Sequence, residues 1–279
     1  MTVNAADKAA QDRFAFGDNW LSFLELVDEP RIAKAVTSLK DALGVSDLAG
    51  HTFLDVGCGS GLFSLAAHRL GARVHSFDFD AKSVAASAKL RSIFAPQSAW
   101  SVAQGSILDE AYTRTLGVHD VVYSWGVLHH TGAMWQAIEA ASRLVAPNGL
   151  LYISIYNDQG LASRLWWRVK RRYVQSGPVV RRQLVLAFGT YFGIRGALAR
   201  AVKRACGAKV PPAVRSRGMS AHHDLVDWIG GFPFEVAAPE EIFGVLRRRG
   251  FDLRYLKTCA GGYGCNEYVF ARVSDAPLG

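Results

Sequence analysis

A short apolar strand, Thr52-Phe53-Leu54-Asp55-Val56, runs into glycines at every second position, Gly57, Gly59 and Gly61. The segment after them, Leu62 to Leu70, carries apolar residues at helical spacing. Strand, glycine turn and helix in that order form the first unit of a doubly wound sheet, where ligands bind at the carboxyl ends of the strands. Glycine permits positive φ in such a turn and lets a ligand approach the backbone closely. Taken alone the pattern also fits a plain tight turn, because short glycine motifs are weak signals.

Charge separates the ligands such a turn can hold. A dinucleotide fingerprint reads G-x-G-x-x-G and seats a pyrophosphate at the helix N-terminus. Here the spacing is G-x-G-x-G, and Asp55 stands two residues before the first glycine. A carboxylate there repels a pyrophosphate and suits a cation. S-adenosylmethionine carries an ammonium and a sulfonium and no phosphate, so the loop favours it over a nicotinamide dinucleotide. The next strand, Ala72 to Phe77, ends in Asp78, about 20 residues past the glycines, where an acid clamps a ribose. Asp80 is its rival, and is assigned instead to capping the helix that begins at Ala81.

The rest of the chain continues the alternation. Strands are expected near 52–56, 73–77, 99–103, 120–124 and 149–155, with helices between them, and near 252–257 and 266–272 at the end. Pro239-Glu240-Glu241 opens a late helix that closes on Arg247-Arg248-Arg249, the polarity a helix dipole prefers. Residues 14–49 read as two helices split at Asp28-Glu29-Pro30. The expected fold is α/β: a Rossmann-like, doubly wound, mostly parallel seven-stranded sheet with a helical cap inserted after the fifth strand. The core is drawn at 1–156 and 236–279, and the insert at 157–235, as a lid over the carboxyl edge. The glycine-rich stretch 260–267 is expected to turn the last hairpin.

Five motifs then fall in order: D-V-G-C-G-S-G at 55–61, Phe77-Asp78-Phe79-Asp80, Gln104-Gly105-Ser106-Ile107-Leu108-Asp109, the run from Asp120 to His130, and Leu144-Val145-Ala146-Pro147-Asn148-Gly149-Leu150. Together they resemble the class I S-adenosylmethionine-dependent methyltransferases over roughly residues 50–156. The resemblance implies that Asp55, Gly57 and Gly59 face the methionine end of the cofactor, with Cys58 and Gly61 in the same cofactor-binding loop. Asp78 would hold the ribose hydroxyls, with Phe79 beside the adenine and Ser106 and Ile107 at its edge. Trp125, at the end of the fourth strand, joins this set. One position departs from the family, which often has an acid where Ser106 stands; a hydroxyl accepts a hydrogen bond more weakly than a carboxylate. The leading segment, Phe16-Gly17-Asp18-Asn19-Trp20 with Pro30-Arg31, is similar to the region ahead of the sheet in ubiquinone-biosynthesis-type O-methyltransferases. That similarity implies that Trp20 helps close the cofactor pocket; the alternative is that Phe16 and Trp20 only pack a helix on the core.

Methyl transfer needs the nucleophile aligned with the methyl carbon, and a hydroxyl nucleophile also needs a base. His129 and His130 follow the fourth strand at the carboxyl edge, and either is a candidate base. Leu-His-His is frequent at this point in the family whatever the substrate, so a structural or cofactor-shell role competes for both. Tyr156, just past the fifth strand, is a third candidate, with rim packing as its alternative. His222 and His223 stand beside Asp224, Asp227 and Trp228. A His–Asp pair orients a base, and a polar helix N-terminus explains the same residues equally well. The spacing of His129, His130, His222, His223 and Cys259 demands no metal, and none is expected.

The chain has 279 residues, half of them hydrophobic. Four scattered cysteines suit a reduced, cytoplasmic protein, and the polar stretch 1–13 lacks a secretory apolar core. No uncharged apolar run reaches about 18 residues, the length of a spanning helix. The charge is uneven. Of the 32 lysines and arginines, 14 lie between Gly160 and Ser220, where there is no aspartate or glutamate. The 18 elsewhere face all 24 acids, so an acidic body carries a basic insert. On a helical wheel Arg164, Arg168, Arg171 and Arg172 share one side, and Leu165, Trp166, Val169 and Tyr173 the next. The segment from Val179 to Cys206 follows with basic residues at both ends, though Gly189, Gly193 and Gly196 weaken it as a helix.

Three uses of the 160–220 insert compete: docking on an anionic membrane surface, binding RNA or another polyanion, and capping the site with solvated charges. Its apolar content argues against a purely nucleic-acid surface. The expected activity is methyl transfer from S-adenosylmethionine, yielding S-adenosylhomocysteine, to a small, hydroxylated, lipophilic acceptor at oxygen, by a cytoplasmic protein with a peripheral place at the inner membrane face. The alternatives are an RNA or protein methyltransferase docked through the insert, and a non-catalytic S-adenosylmethionine-binding module.

Overall fold

The computed structural model describes residues 14, 17, 20, 23–207, 221–260, 262 and 264–273; of 221–224 and 227 the backbone alone is described. The strands are β1 (Thr52–Val56), β2 (Arg73–Asp78), β3 (Trp100–Gln104), β4 (His119–Trp125), β5 (Val145–Tyr156), β6 (Phe251–Lys257) and β7 (Cys265–Arg272). The helices among the described residues are α1 (Glu29–Leu43), α2 (Leu62–Arg69), α3 (Ala81–Phe94), α4 (Glu110–Leu116), α5 (Met134–Arg143), α6 (Leu161–Val174), α7 (Pro178–Ala205), α8 (Ala221–Gly230) and α9 (Pro239–Arg248). The first of the two helices expected in 14–49 falls largely outside the described residues.

One seven-stranded sheet has the order β3-β2-β1-β4-β5-β7-β6. The first five strands pair in parallel, and β7 runs antiparallel between β5 and β6. This is the Rossmann-like doubly wound arrangement, closed by a hairpin. The chain order reverses about β1, so the β1 and β4 carboxyl ends form the switch point where such sheets bind ligands. Both faces are covered, and each central strand splits its residues between them. Phe53, Val121, Tyr123, Tyr152 and Val269 pack with Ile32, Leu39, Leu65 and Leu90 of α1, α2 and α3. Leu54, Val122, Leu151, Ile153 and Phe270 pack with Ile138 and Ala141 of α5 and Ile242 and Leu246 of α9. That double burial is why the strands read as continuous apolar runs rather than as alternating ones.

The helix ends follow local chemistry. Asp28 accepts a hydrogen bond from the Arg31 amide (2.9 Å) at the start of α1, and Gly44 closes it in the left-handed region at φ 68°. Asp80 caps α3 through the Lys82 amide (2.8 Å), as expected. Glu241 reaches back to the Ala238 amide (2.8 Å) to open α9. β5 begins earlier than the expected 149–155: Val145 already pairs with His119, before a register break that Pro147 and Asn148 (φ 61°) bridge.

The chain divides into two compact units. The larger is Ala15–Ser163 with Pro233–Gly279 and contains the whole sheet. The smaller holds Arg164–Phe232 together with Phe14. Residues 157–163 and 233–235, which the sequence reading put in the insert, group with the sheet.

Inside the smaller unit the helical wheel for α6 needs correcting. The buried face is Trp166, Lys170 and Tyr173, while Leu165 is 59% exposed. Lys170 is fully buried: its ammonium donates to the Trp228 carbonyl and lies 4.7 Å from the centroid of the Trp228 ring. A carbonyl and a ring face together stabilise an ammonium that burial alone would expel. Trp166 also meets Trp228 edge-on and stacks on Phe192.

Candidate functional site

The glycine loop is pinned against the end of β2. The amides of Gly57 and Cys58 both donate to the Phe77 carbonyl (2.8 and 3.1 Å), and the Gly59 amide donates to Asp78 Oδ2 (3.0 Å). Gly57, Gly59 and Gly61 all have positive φ, at 78°, 53° and 79°. A Cβ on Gly57 would run into the Val127 side chain, and one on Gly59 would stand 3.0 Å from the Trp20 indole. The loop is therefore a cradle that only glycine can line, with Trp20 across it. The Cys58 side chain turns inward, its Sγ accepting from Ser87 Oγ (3.1 Å), and its carbonyl accepts from the Gly61 amide (2.8 Å) to close the turn.

Two carboxylates flank this cradle. Asp55 is buried on β1 and accepts a 2.5 Å hydrogen bond from Ser64 Oγ of α2. Ser64 in turn meets Ser76 Oγ (2.7 Å), which accepts from the Trp100 indole (2.7 Å). Asp78 accepts from the Asp80 amide (2.9 Å) as well as from Gly59. Burial raises Asp55 to about 7, against the pull of Ser64, and the Asp78 charge adds to the rise. Burial likewise raises Asp78 to about 6, while the Gly59 and Asp80 amides oppose it. A pair of carboxylates that burial holds back from ionising suits a cationic ligand. The donor set and the glycine cradle together fit the ammonium, sulfonium and ribose of S-adenosylmethionine.

These shifts have a pH consequence with a definite sign. Both folded values lie above that of an unfolded aspartate, about 3.9. Their contribution to the stability of the unliganded protein is therefore complete below pH ~4 and is lost as the pH rises through 6 and 7. A cation favours the ionised pair and so binds better across that same window. Calorimetric titration is expected to show S-adenosylmethionine binding about tenfold tighter at about pH 8 than at about pH 5.5, with Asp55→Asn flattening the profile. A flat wild-type profile would mean that neither carboxylate titrates on binding.

The other expected cofactor residues are placed as follows. Phe79 projects at the end of β2, 54% exposed. Ser106 Oγ accepts from the Leu108 amide within its own turn (3.2 Å), and the Ile107 side chain is buried in the core with Phe77 and Val122. Trp125, at the end of β4, is partly buried against the α1–α3 side of the sheet. Tyr112 packs over Gly105, where a Cβ would strike its ring, and meets Phe77 edge-on (5.2 Å).

The carboxyl ends of β4 and β5 bring three candidate catalytic residues together. His129 and His130 sit in a single 3-10 turn, Leu128–His130. The His129 ring lies 4.2 Å from Tyr156 and 4.5 Å from His130, centroid to centroid, and Tyr156 is 5.1 Å from Phe234. His129 is fully buried, whereas His130 is partly exposed. His130 Nδ1 is 2.6 Å from the Pro233 carbonyl. A carbonyl only accepts, so Nδ1 carries the proton, and the neutral ring of that tautomer has its basic lone pair at Nε2. The side chains of His222 and His223 lie outside the described residues; their backbone opens α8.

Glu235 is the residue that sequence reasoning missed. Its carboxylate takes the Met134 amide through both oxygens (3.2 and 3.0 Å), and its own amide donates to the His129 carbonyl (3.0 Å). Burial raises its pKa, and the Met134 and Gly132 amides oppose the rise. It closes the N-terminus of α5, whose cap residue Ala133 offers no side-chain acceptor. That missing local cap was the only signal in the sequence, and it does not say which distant acid serves. Pro233 and Glu235 thus fix the two histidines from across the site. Among the described residues no group of three or more His, Cys, Asp or Glu is placed to hold a metal ion.

Against known proteins, the methyltransferase domain family matches residues 28–188. The ubiquinone biosynthesis O-methyltransferase of Cupriavidus pinatubonensis is 34% identical over 115 residues, which is 41% of this chain and 45% of that protein. The chain spans about half the length of the relatives it matches in this way. Among solved structures, magnesium protoporphyrin IX methyltransferase from Synechocystis PCC 6803 with bound SAH aligns over 98% of this chain and 89% of its own, at 17% identity and a TM-score of 0.50. An O-methyltransferase family protein from Burkholderia thailandensis aligns over 99% and 64%, at 15% identity and a TM-score of 0.54. These two structures share its fold.

Proposed function

The chain belongs to the methyltransferase domain family and has its class I fold, and from that premise we propose that it is an S-adenosylmethionine-dependent enzyme that methylates a hydroxyl group of a small, lipophilic acceptor. The observation that carries this reading is the His130 Nδ1 bond to the Pro233 carbonyl, which keeps a proton on Nδ1, so Nε2 is the atom of the ring that can take up the acceptor's proton. A base is needed for a hydroxyl acceptor and is dispensable for a thiolate or an electron-rich ring. The rings of Tyr156 and Phe234 beside it favour an acceptor with an apolar or aromatic body.

When bound, S-adenosylmethionine supplies an electrophilic methyl group. The work of the chain's own residues lies around it. Asp55 and Asp78 hold the cationic and ribose parts, and the positive-φ glycines let the backbone approach. Trp20 covers the loop and excludes water. His130 takes the acceptor's hydroxyl proton at Nε2, and the Pro233 carbonyl stabilises the imidazolium that results. Tyr156 and Phe234 orient the acceptor against the base.

The test uses S-adenosylmethionine labelled on its methyl carbon, the purified protein and a cell lysate, followed by partition of the label. Label in an organic extract, carried in a methyl ether, is the expected result. Label in RNA or protein would overturn the small-molecule reading in favour of a macromolecular acceptor. No label in any fraction, with the cofactor still bound, would mark a binding module without catalysis.

A further inference from the structure

The smaller unit carries a surface that methyl transfer does not use. α7 runs for 28 residues without one buried side chain. One face meets the rest of its unit: the rings of Phe188 and Phe192 lie 5.0 and 5.8 Å from that of Trp166, and Gly189 faces Leu225. The opposite face points to solvent with apolar residues. Leu186 is 71% exposed, Ile194 58% and Leu198 62%, and Val179, Tyr191 and Val202 are exposed with them. At 3.6 residues per turn these side chains form one stripe, roughly 35 Å long at about 1.5 Å per residue. Exposed Arg182, Arg200 and Arg204 run down one border, and Arg195 stands on the other. Arg181 is held elsewhere, by the Tyr173 and Val174 carbonyls.

We propose that this outward stripe of α7 docks the protein on a lipid bilayer rich in anionic headgroups, with the stripe at the acyl boundary and the flanking arginines among the phosphates. Apolar side chains of this length along one helical face fit the boundary region of a bilayer, and arginines at the margins reach back to the headgroups. No described helix is long and apolar enough to cross a membrane, so α7 lies along the surface. Charge selects the occupant. The 160–220 stretch contains 14 basic residues and no acid. A second copy pairing stripe to stripe would bring like-charged rows together with no carboxylate from this stretch to neutralise them. RNA would neutralise the arginines but would leave Leu186, Ile194 and Leu198 with no stacking role. An anionic bilayer satisfies both features at once. The proposal does not depend on which acceptor is methylated, and the stripe shares no residue with the glycine loop.

Co-sedimentation of the whole chain with vesicles tests it. Vesicles of phosphatidylcholine and phosphatidylglycerol in equal parts are expected to bind the protein at least about tenfold more strongly than phosphatidylcholine alone, with the difference shrinking as salt rises. One variant, Leu186→Gln with Ile194→Gln and Leu198→Gln, keeps every charge. A second, Arg182→Glu with Arg200→Glu and Arg204→Glu, keeps every apolar residue. All six positions are exposed, so both variants are expected to melt as the wild type does and to bind S-adenosylmethionine unchanged. Each is expected to lose about tenfold or more in vesicle binding. Wild-type protein that stays in the supernatant, or variants that sediment like the wild type, would overturn the proposal. So would a wild-type dimer that the glutamine variant dissolves, or RNA binding that only the glutamate variant loses, since either gives the stripe a different occupant.

Discussion

Asp78→Ala is expected to weaken S-adenosylmethionine binding by about 10²–10³-fold while leaving the fold intact. Hydrogen bonds to a charged group contribute about 1.5–3 kcal/mol each, so two ribose hydroxyls donating to this carboxylate would contribute at least about 3 kcal/mol, which is a loss of about 10²-fold or more on removal. The same side chain also shapes the loop, because Oδ2 receives the Gly59 amide and Oδ1 the Asp80 amide. Asp78→Asn separates the two roles. Its amide oxygen can still accept from Gly59, so it should lose the charge but keep the loop, with a smaller drop of about tenfold. The alanine variant also removes the acceptor of the Gly59 and Asp80 amides, so it is expected to melt somewhat below the wild type. The asparagine variant, which keeps an acceptor for Gly59, shows how much of the affinity loss comes from the charge rather than from the loop. Calorimetry and a thermal melt on the same samples decide the matter; an affinity within about threefold of the wild type would remove Asp78 from the cofactor site.

That position was legible because it depends on chain-local signals. A strand buried on both faces reads as an apolar run, its terminal acid marks the carboxyl edge, and Asp80 follows as a cap for α3. The same holds for the ends of α1, where Asp28 and Gly44 need nothing beyond their own neighbours. Signals of that kind fail where the partner is remote. The helical wheel puts Lys170 on neither side, yet it is buried, its ammonium received by the Trp228 carbonyl and ring, 58 residues away. Leu165 was placed among the apolar residues that pack and instead faces solvent, because the packing surface is centred on Trp166 and Lys170. Glu235 serves a helix end 101 residues earlier, and its own surroundings, Phe-Pro-Phe-Glu-Val, carry no trace of that duty. Around the histidines, composition and spacing found the two rings but not the carbonyl that decides which nitrogen of His130 is basic.

That carbonyl makes His130→Asn the sharpest test of the chemistry. The asparagine amide can donate to the Pro233 carbonyl in place of Nδ1, so the turn and its contacts are retained while the lone pair at Nε2 is lost. General base catalysis contributes about 10²–10⁴-fold, and kcat is expected to fall within that range with S-adenosylmethionine affinity unchanged. The pH profile tells a base from a packing residue. Without the base, transfer depends on the acceptor's own ionised fraction, so the variant's rate should climb about tenfold per pH unit until the acceptor hydroxyl ionises. The wild-type rate should be much flatter over the same range. His129→Asn provides the contrast: that ring is fully buried against Tyr156 and His130, so its loss should lower the melting temperature and leave the shape of the profile unchanged. Parallel pH profiles for wild type and His130→Asn would assign His130 to packing alone, and the acceptor atom would then be one that needs no base.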